Sequence, residues 1–241
     1  MRAVILAGGK GARLWPYTAM LPKPLVPVGN RPILDVVLTQ LKAAGVDRVT
    51  MAVSHLAHLI MAYFGDGGRW GLQVDYSVED KPLSTIAPLK LIEDLPETFF
   101  VMNGDVLTDL DFRALYSDHV AHNADITVAT FKRDTRIDFG VLRTDDSNRV
   151  VGFEEKPTYH FCVSMGVYVV QRRLLDIVPE ERAFGFDDLM LACIEKGLNA
   201  RTHPHHGYWL DIGRPDDYAE ANEKIDELMK RLFPGGEPSG P

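Results

Sequence analysis

The feature that most constrains this chain is the regular exchange of short apolar, β-branched runs with helix-length amphipathic segments over its first 131 residues. "RAVILA" (2–7) stops at glycines and fits a buried strand. "PILDVVLTQLKAAG" (32–45) has proline at a helix start, apolar residues at helical spacing and Gly45 at its stop. "DRVTMAVS" (47–54) reads as a strand, "HLAHLIMAYFG" (55–65) as a helix, and "LQVDYSV" (72–78) as a strand with one wetter face. Ser84 is placed to cap a helix through "PLKLIEDL". "ETFFVMNGD" (97–105), "DFRALYSDHVAHN" and "DITVATF" (125–131) continue as strand, helix and strand. This alternation predicts an α/β, doubly wound, mostly parallel mixed sheet with helices on both faces.

Beyond about residue 138 the pieces become strand-rich: "FGVLRT", "RVVGFEEKP", "FCVSMGVYVV". Helices around 186–196 and 215–232 frame "GYWLDIG". Neither a linker nor a repeat intervenes, so the expectation is one domain over 1–232, with a first half to about residue 131 and a second half, 132–232, that completes the site. The end, 233–241, containing "PGGEPSGP", is expected to be disordered. No hexapeptide repeat of the kind that builds a trimerising solenoid is present, and a homo-oligomer of another kind stays open.

A net charge of −8 over 241 residues argues against a general nucleic-acid surface, so an anionic substrate must be met by locally placed cations. Two cysteines, Cys162 and Cys193, make no disulfide framework and point to a reducing compartment. The N-terminus lacks a signal-peptide pattern and no apolar run approaches a membrane span; the expected location is the cytoplasm.

The turn after the first strand, "GGKGAR", holds Gly8, Gly9 and Gly11. Such a turn lets the backbone approach a ligand and aim N–H groups at phosphate oxygens. It is not a Walker A loop, because GK[ST] is absent, nor a dinucleotide fingerprint, because Arg13 stands where the third glycine would be. Arg13 offers a forked cation suited to phosphate. Lys23, between Pro22 and Pro24, is a point charge on a stiff stretch.

"GGKGARLWP" with "PKPLVPV", then "NGD" (103–105), "EEKP" (154–157) and "WLDIG" (209–213), resembles the sugar-1-phosphate nucleotidyltransferases (nucleotide-sugar pyrophosphorylases), in the family's order and over most of the chain. Within that family it resembles the mannose-1-phosphate and heptose-1-phosphate guanylyltransferases. The resemblance implies a Rossmann-like fold whose first half binds nucleotide and whose second binds sugar phosphate. It also implies the reaction of a nucleoside triphosphate with a sugar 1-phosphate to give NDP-sugar and pyrophosphate.

Both reactants are anions, so the barrier is largely repulsion and positioning, and Mg²⁺ is the expected remedy. Asp105 and Asp211 end apolar runs, where open α/β sheets place ligands, and match the family's metal-binding aspartates. By the same resemblance Arg13 and Lys23 are the catalytic cations, Arg13 on the leaving pyrophosphate and Lys23 on the α-phosphate. Leu6, Ala7, Gly8, Gly9, Gly11, Glu79, Ser84 and Asn103 are the expected nucleotide contacts. Lys156 is expected to meet the sugar phosphate and Glu155 the sugar hydroxyls, with Gly140 permitting close approach.

Glu79 closes a strand where a thymidylyltransferase pattern carries glutamine. An ionised carboxylate only accepts hydrogen bonds, which suits guanine's adjacent N1–H and N2–H donors and opposes the carbonyls of uracil or thymine. GTP is therefore favoured over UTP, dTTP or CTP, unless Glu79 simply faces solvent. "PLSTIAPLK" (82–90) departs from the PLGTAGPL of many relatives. β-Branched Ile86 resists positive φ, which leaves a non-catalytic sugar-nucleotide sensor as the alternative to an enzyme. "HPHHG" (203–207) has the residue types for a transition metal, but strand geometry would point neighbouring rings apart; His55 and His58 read as one helix face. The sugar itself is not legible.

Overall fold

The computed structural model describes residues 1–180 and 182–236. Seven strands form the central sheet: β1 (Arg2–Leu6), β2 (Arg48–Val53), β3 (Gln73–Val78), β4 (Thr98–Asn103), β5 (Ile126–Arg136), β6 (Thr158–Gln171) and β7 (Ala200–His205). Their order is β7-β5-β6-β4-β1-β2-β3. β1 lies centrally, parallel to β2 and β4, with Ile5 in register with Met51 and Met102. β6 runs antiparallel to both β4 and β5, and β7 returns parallel to β5. The sheet is thus mostly parallel but mixed, as the alternation predicts.

Strand pleating distributes the apolar residues of β1 to two cores. Ala3 and Ile5 face helices α1 (Ile33–Ala43), α2 (Ala57–Phe64) and α3 (Phe112–Ala121), meeting Leu34, Leu38, Leu41, Ile60, Phe64 and Leu115. Val4 faces the other side, packed with Leu189 and Cys193 of α4 (Phe186–Glu195) and with Leu89 of a 3₁₀ turn, Ala87–Leu91. Two further helices, α5 (Pro215–Glu223) and α6 (Ile225–Leu232), enclose a third cluster with Leu14, Val26, Ile33 and Leu107. Leu14, directly after Arg13, and Val26, shortly past Lys23, are almost fully buried there. Each such side chain contributes roughly 1.5–3 kcal/mol by leaving water, so packing anchors the chain close to each cation.

Several elements differ from the sequence reading. The 84–95 segment is not an α-helix: Ser84 makes no cap, and only the 3₁₀ turn at Ala87–Leu91 forms. Five of its apolar residues, Ile86, Ala87, Leu89, Ile92 and Leu95, go into the core. The expected helix over 215–232 is two helices, breaking at Lys224 (φ −107°, ψ 19°). The break seats Ile225 against Gly29, where any Cβ would stand 2.7 Å from Ile225 Cγ1, and lets Asn222 Oδ1 accept from the Gly29 N–H at 2.9 Å. Phe233, assigned to the disordered tail, is buried in the third cluster; residues 237–241 of that tail lie outside the described residues. β5 and β6 run on past the sheet as an exposed two-stranded arm, and the antiparallel ribbon of Val141–Thr144 with Val150–Glu154 lies between them in the chain. Both cysteines are free thiols.

Candidate active site

At the carboxyl ends of β1, β2, β3 and β4, where open α/β sheets bind ligands, lies a cleft of about 590 Å³. Leu6, Ala7, Gly8, Gly9, Gly11, Arg13, Lys23, Glu79, Ser84, Asn103 and Asp105 all line it. Gly11 is sterically required, having φ +63° with Thr18 Cγ2 only 2.8 Å from where its Cβ would be, and a Cβ at Gly8 would stand a tight 3.0 Å from Glu79 Oε1. Gly11 precedes the 3₁₀ turn Ala12–Leu14 that carries Arg13.

The acidic centre is assembled from distant pieces of chain. Asp105 follows β4; Asp211 ends the short strand Trp209–Asp211, which pairs antiparallel with Val106–Thr108 so that Asp211 is in register with Val106. Lys23 Nζ is ion-paired with Asp105 and lies 3.8 Å from Asp211 Oδ1. Both Oδ1 atoms, of Asp105 and of Asp211, are buried without a hydrogen-bond partner. Burial and the neighbouring Asp105 carboxylate push the Asp211 pKa above the ordinary range, partly offset by Lys23 and Arg13.

Two adjacent orphaned carboxylate oxygens suit a hard divalent cation, which takes one or two protein carboxylates and completes its shell with phosphate and water. Among the described residues no group of three or more His, Cys, Asp or Glu is arranged to hold a metal. The pair therefore fits an ion shared with a phosphate-bearing substrate.

Glu79 does not face solvent. It is half-buried in the cleft wall, Oε2 accepts from the Leu83 N–H at 3.1 Å, and burial raises its pKa against that hydrogen bond. The concern over Ile86 is corrected as well. Ile86 has φ −109° and is buried in the core, and its N–H donates to the Phe184 carbonyl at 3.0 Å. Positive φ falls instead on Ser84, at +70°.

The second-half residues are placed differently. Gly140 and Glu155 meet: a Cβ on Gly140 would stand 2.6 Å from the Phe153 ring and 3.3 Å from Glu155 Oε2. Lys156 follows at φ +45°, a left-handed conformation that non-glycine residues rarely take. All three are exposed and line neither the main cleft nor a second cleft of about 490 Å³, which shares Arg13 and Gly213 with it and is the one that Asp211 lines.

Sequence reasoning missed His55, which lines the main cleft together with Lys10, Ser54 and Thr85. His55 is not on the helix face assigned to it, since α2 begins at Ala57 after Leu56 at φ +54°. No periodicity marks such a residue; only its position just past a strand end does. The histidines of 203–206 are divided among carboxylates: His203 Nδ1 meets Asp118 Oδ2 at 2.9 Å, and His205 Nε2 meets Asp109 Oδ1 at 2.8 Å.

A doubly wound sheet with a glycine-rich loop, two cations and a pair of orphaned aspartates at its strand ends defines an α/β protein built to handle phosphates. Comparison with known proteins makes this specific. The sequence profile of the Nucleotidyl transferase family matches residues 2–227, and the chain belongs to that family. It is 33% identical over 241 residues to a UTP–glucose-1-phosphate uridylyltransferase of Synechocystis, covering 92% of this chain and 62% of that one. It is 34% identical over 243 residues to the mannose-1-phosphate guanylyltransferase of Mycobacterium tuberculosis, covering 96% of this chain and 66% of the relative. The chain thus spans somewhat under two thirds of these relatives' length. Its fold is similar to that of HddC from Yersinia pseudotuberculosis complexed with GMP-PN, with a TM-score of 0.72, 27% identity and coverage of 93% and 99% of the two chains. No helix among the described residues is long and apolar enough to cross a membrane.

Proposed function

We propose that the protein transfers a nucleotidyl group from a nucleoside triphosphate, GTP by preference, to a sugar 1-phosphate, releasing pyrophosphate in a Mg²⁺-dependent reaction. The observation that carries this reading is the pair of buried, unpartnered Oδ1 atoms of Asp105 and Asp211 beside Lys23 at the end of the glycine loop. Asp105 and Asp211 would hold the ion, which supplies Lewis-acid neutralisation of phosphate charge.

This chain's own groups do the rest. Backbone N–H groups of Gly8 to Gly11 receive the phosphates. Arg13 holds the departing diphosphate and Lys23 stabilises charge growing at the α-phosphorus as the sugar-phosphate oxygen attacks in line. Lys23 sits between the two aspartates, so its ammonium is positioned before substrate arrives and costs little reorganisation. Glu79 accepts from the base, and its half-burial strengthens discrimination, since an unmatched carboxylate there costs roughly 1–3 kcal/mol. Support for guanine also comes from the relatives named for GTP chemistry and the neighbour holding GMP-PN, while the uridylyltransferase relative keeps UTP among the candidates to be tested.

The acceptor is assigned to the arm, with Lys156 on its phosphate, Glu155 on its hydroxyls and Gly140 allowing close approach. The left-handed Lys156 is the supporting feature, because strain of about 1–2 kcal/mol at a non-glycine residue is characteristic of functional positions. A grid of nucleoside triphosphates against sugar 1-phosphates, read by pyrophosphate release, tests the proposal. The reading fails if no pair yields pyrophosphate above background.

A further inference from the structure

The second cleft is lined by three guanidinium groups, those of Arg13, Arg133 and Arg214, in a chain whose net charge is −8. None of the three forms an ion pair among the described residues, whereas two of the cleft's three carboxylates are engaged. Asp217 Oδ2 accepts from the Arg214 backbone N–H at 2.9 Å and Glu220 Oε1 holds Lys224 Nζ at 3.0 Å; the third, Asp211, carries the orphaned Oδ1 assigned to the ion. The formal charges of the lining residues cancel, but the groups left free to bind an anion are the three guanidinium groups. Arg133 comes from β5, Arg214 from the start of α5 and Arg13 from the glycine loop, so only the folded chain brings them together.

The two clefts meet at Arg13 and Gly213, with Asp105 lining the first and Asp211 the second. A nucleotide with its base at Glu79 and its phosphates along Gly8–Gly11 points its terminal phosphates toward Arg13, which is the boundary. The groups assigned to the acceptor, Glu155 and Lys156, line neither cleft. What lies beyond Arg13 is therefore the leaving side of an in-line displacement.

We infer that the second cleft is a receiving site for pyrophosphate, with Arg133 and Arg214 as its contacts beyond Arg13. The inference rests on the transferase reading for its role, though not for its measurement. Forked guanidinium groups bind diphosphate oxygens in pairs, and three of them suit a small anion carrying several charges. By receiving the product they hold it beyond the α-phosphorus on its way out of the protein.

Calorimetric titration of the protein with magnesium pyrophosphate tests this without turnover. Arg133→Ala and Arg214→Ala should each weaken binding about tenfold, as expected for losing one charge-assisted contact, and Arg133→Lys should weaken it less. The affinity for mannose 1-phosphate or glucose 1-phosphate should stay within about twofold. Arg201→Ala, an exposed arginine of β7 outside both clefts, controls for net charge. The inference is overturned by unchanged pyrophosphate binding in both alanine variants, or by an equal loss in Arg201→Ala. A loss confined to the sugar 1-phosphates would instead assign the cleft to the acceptor. Arg133-dependent pyrophosphate binding in a protein that releases none from any substrate pair would sink the transferase reading and leave this site standing.

Discussion

The cleft wall and the arm treat their charged residues in opposite ways. In the wall, Lys23 and Asp105 are 12% and 18% exposed at the side chain and already paired, Asp105 just past a buried strand and Lys23 opening a 3₁₀ turn whose Pro24 and Leu25 are buried. On the arm, Glu155 and Lys156 are exposed, beside Phe153 at 60% and Phe139 at 78% exposure. The wall holds its geometry through core packing before any ligand binds. The arm's residues are exposed and line neither cleft, and under the proposed function a ligand would complete their contacts. Preorganised groups act mainly on the transition state, whereas groups ordered on binding act mainly on affinity. Substitutions in the two regions should therefore split between kcat and KM.

The largest effect is expected at the aspartates. Asp105→Asn and Asp211→Asn should each lower turnover by about 10²-fold or more, since each would remove a ligand proposed for the ion. Asp211→Asn carries a second readout. The Asp211 pKa is raised in the folded protein, so its ionised form opposes folding at neutral pH, and the stability associated with its proton is lost as pH rises through that elevated range. Metal-free Asp211→Asn should then melt higher than wild type near pH 7, with the gap narrowing on acidification. Magnesium should raise the melting temperature of wild type but not of the variant. A lower melting temperature for the variant at neutral pH would contradict the orphaned-pair account.

Next come the two lysines, which set wall against arm directly. Lys23→Ala should cut kcat by about 10²-fold with little change in nucleotide KM. Lys156→Ala should raise the KM for sugar 1-phosphate by about tenfold while sparing kcat at saturation. Exchanged phenotypes would break the comparison.

Base choice should move less. Glu79→Gln should reduce a GTP-over-UTP preference by about tenfold or less, within the 1–3 kcal/mol of one unmatched polar group. In wild type the same preference should fade as pH drops through the raised Glu79 range, because a protonated carboxyl becomes a donor. A pH-independent preference would remove Glu79 from base reading.

Ser84→Gly is the smallest expected change: relief of positive φ should stabilise the protein by about 1 kcal/mol or less, measured by denaturant midpoint, without altering the metal chemistry.

Much of this was legible in the chain because it depends on local physics. Apolar periodicity marked β1 to β5 and α1 to α4, and the glycines of 8–11 announced a backbone close to a ligand. Arg13, Lys23, Asp105 and Asp211 stood out by residue type and motif order. What the sequence did not carry were outcomes of long-range packing. Whether positive φ fell on Ser84 or Ile86 depended on the core capturing Ile86, a burial worth more than any local preference of the loop. The break at Lys224 depended on Gly29, far earlier in the chain, offering a seat for Ile225. The adjacency of Asp105 and Asp211 depended on one short antiparallel pairing, and the meeting of Arg13, Arg133 and Arg214 on three separate elements closing around one cleft. Local sterics and periodicity act within a window of several residues, so sequence alone determined the elements and the chemical character of the site. Which groups share a cavity is decided only when distant segments bury their apolar surface against one another, and that belongs to the tertiary structure.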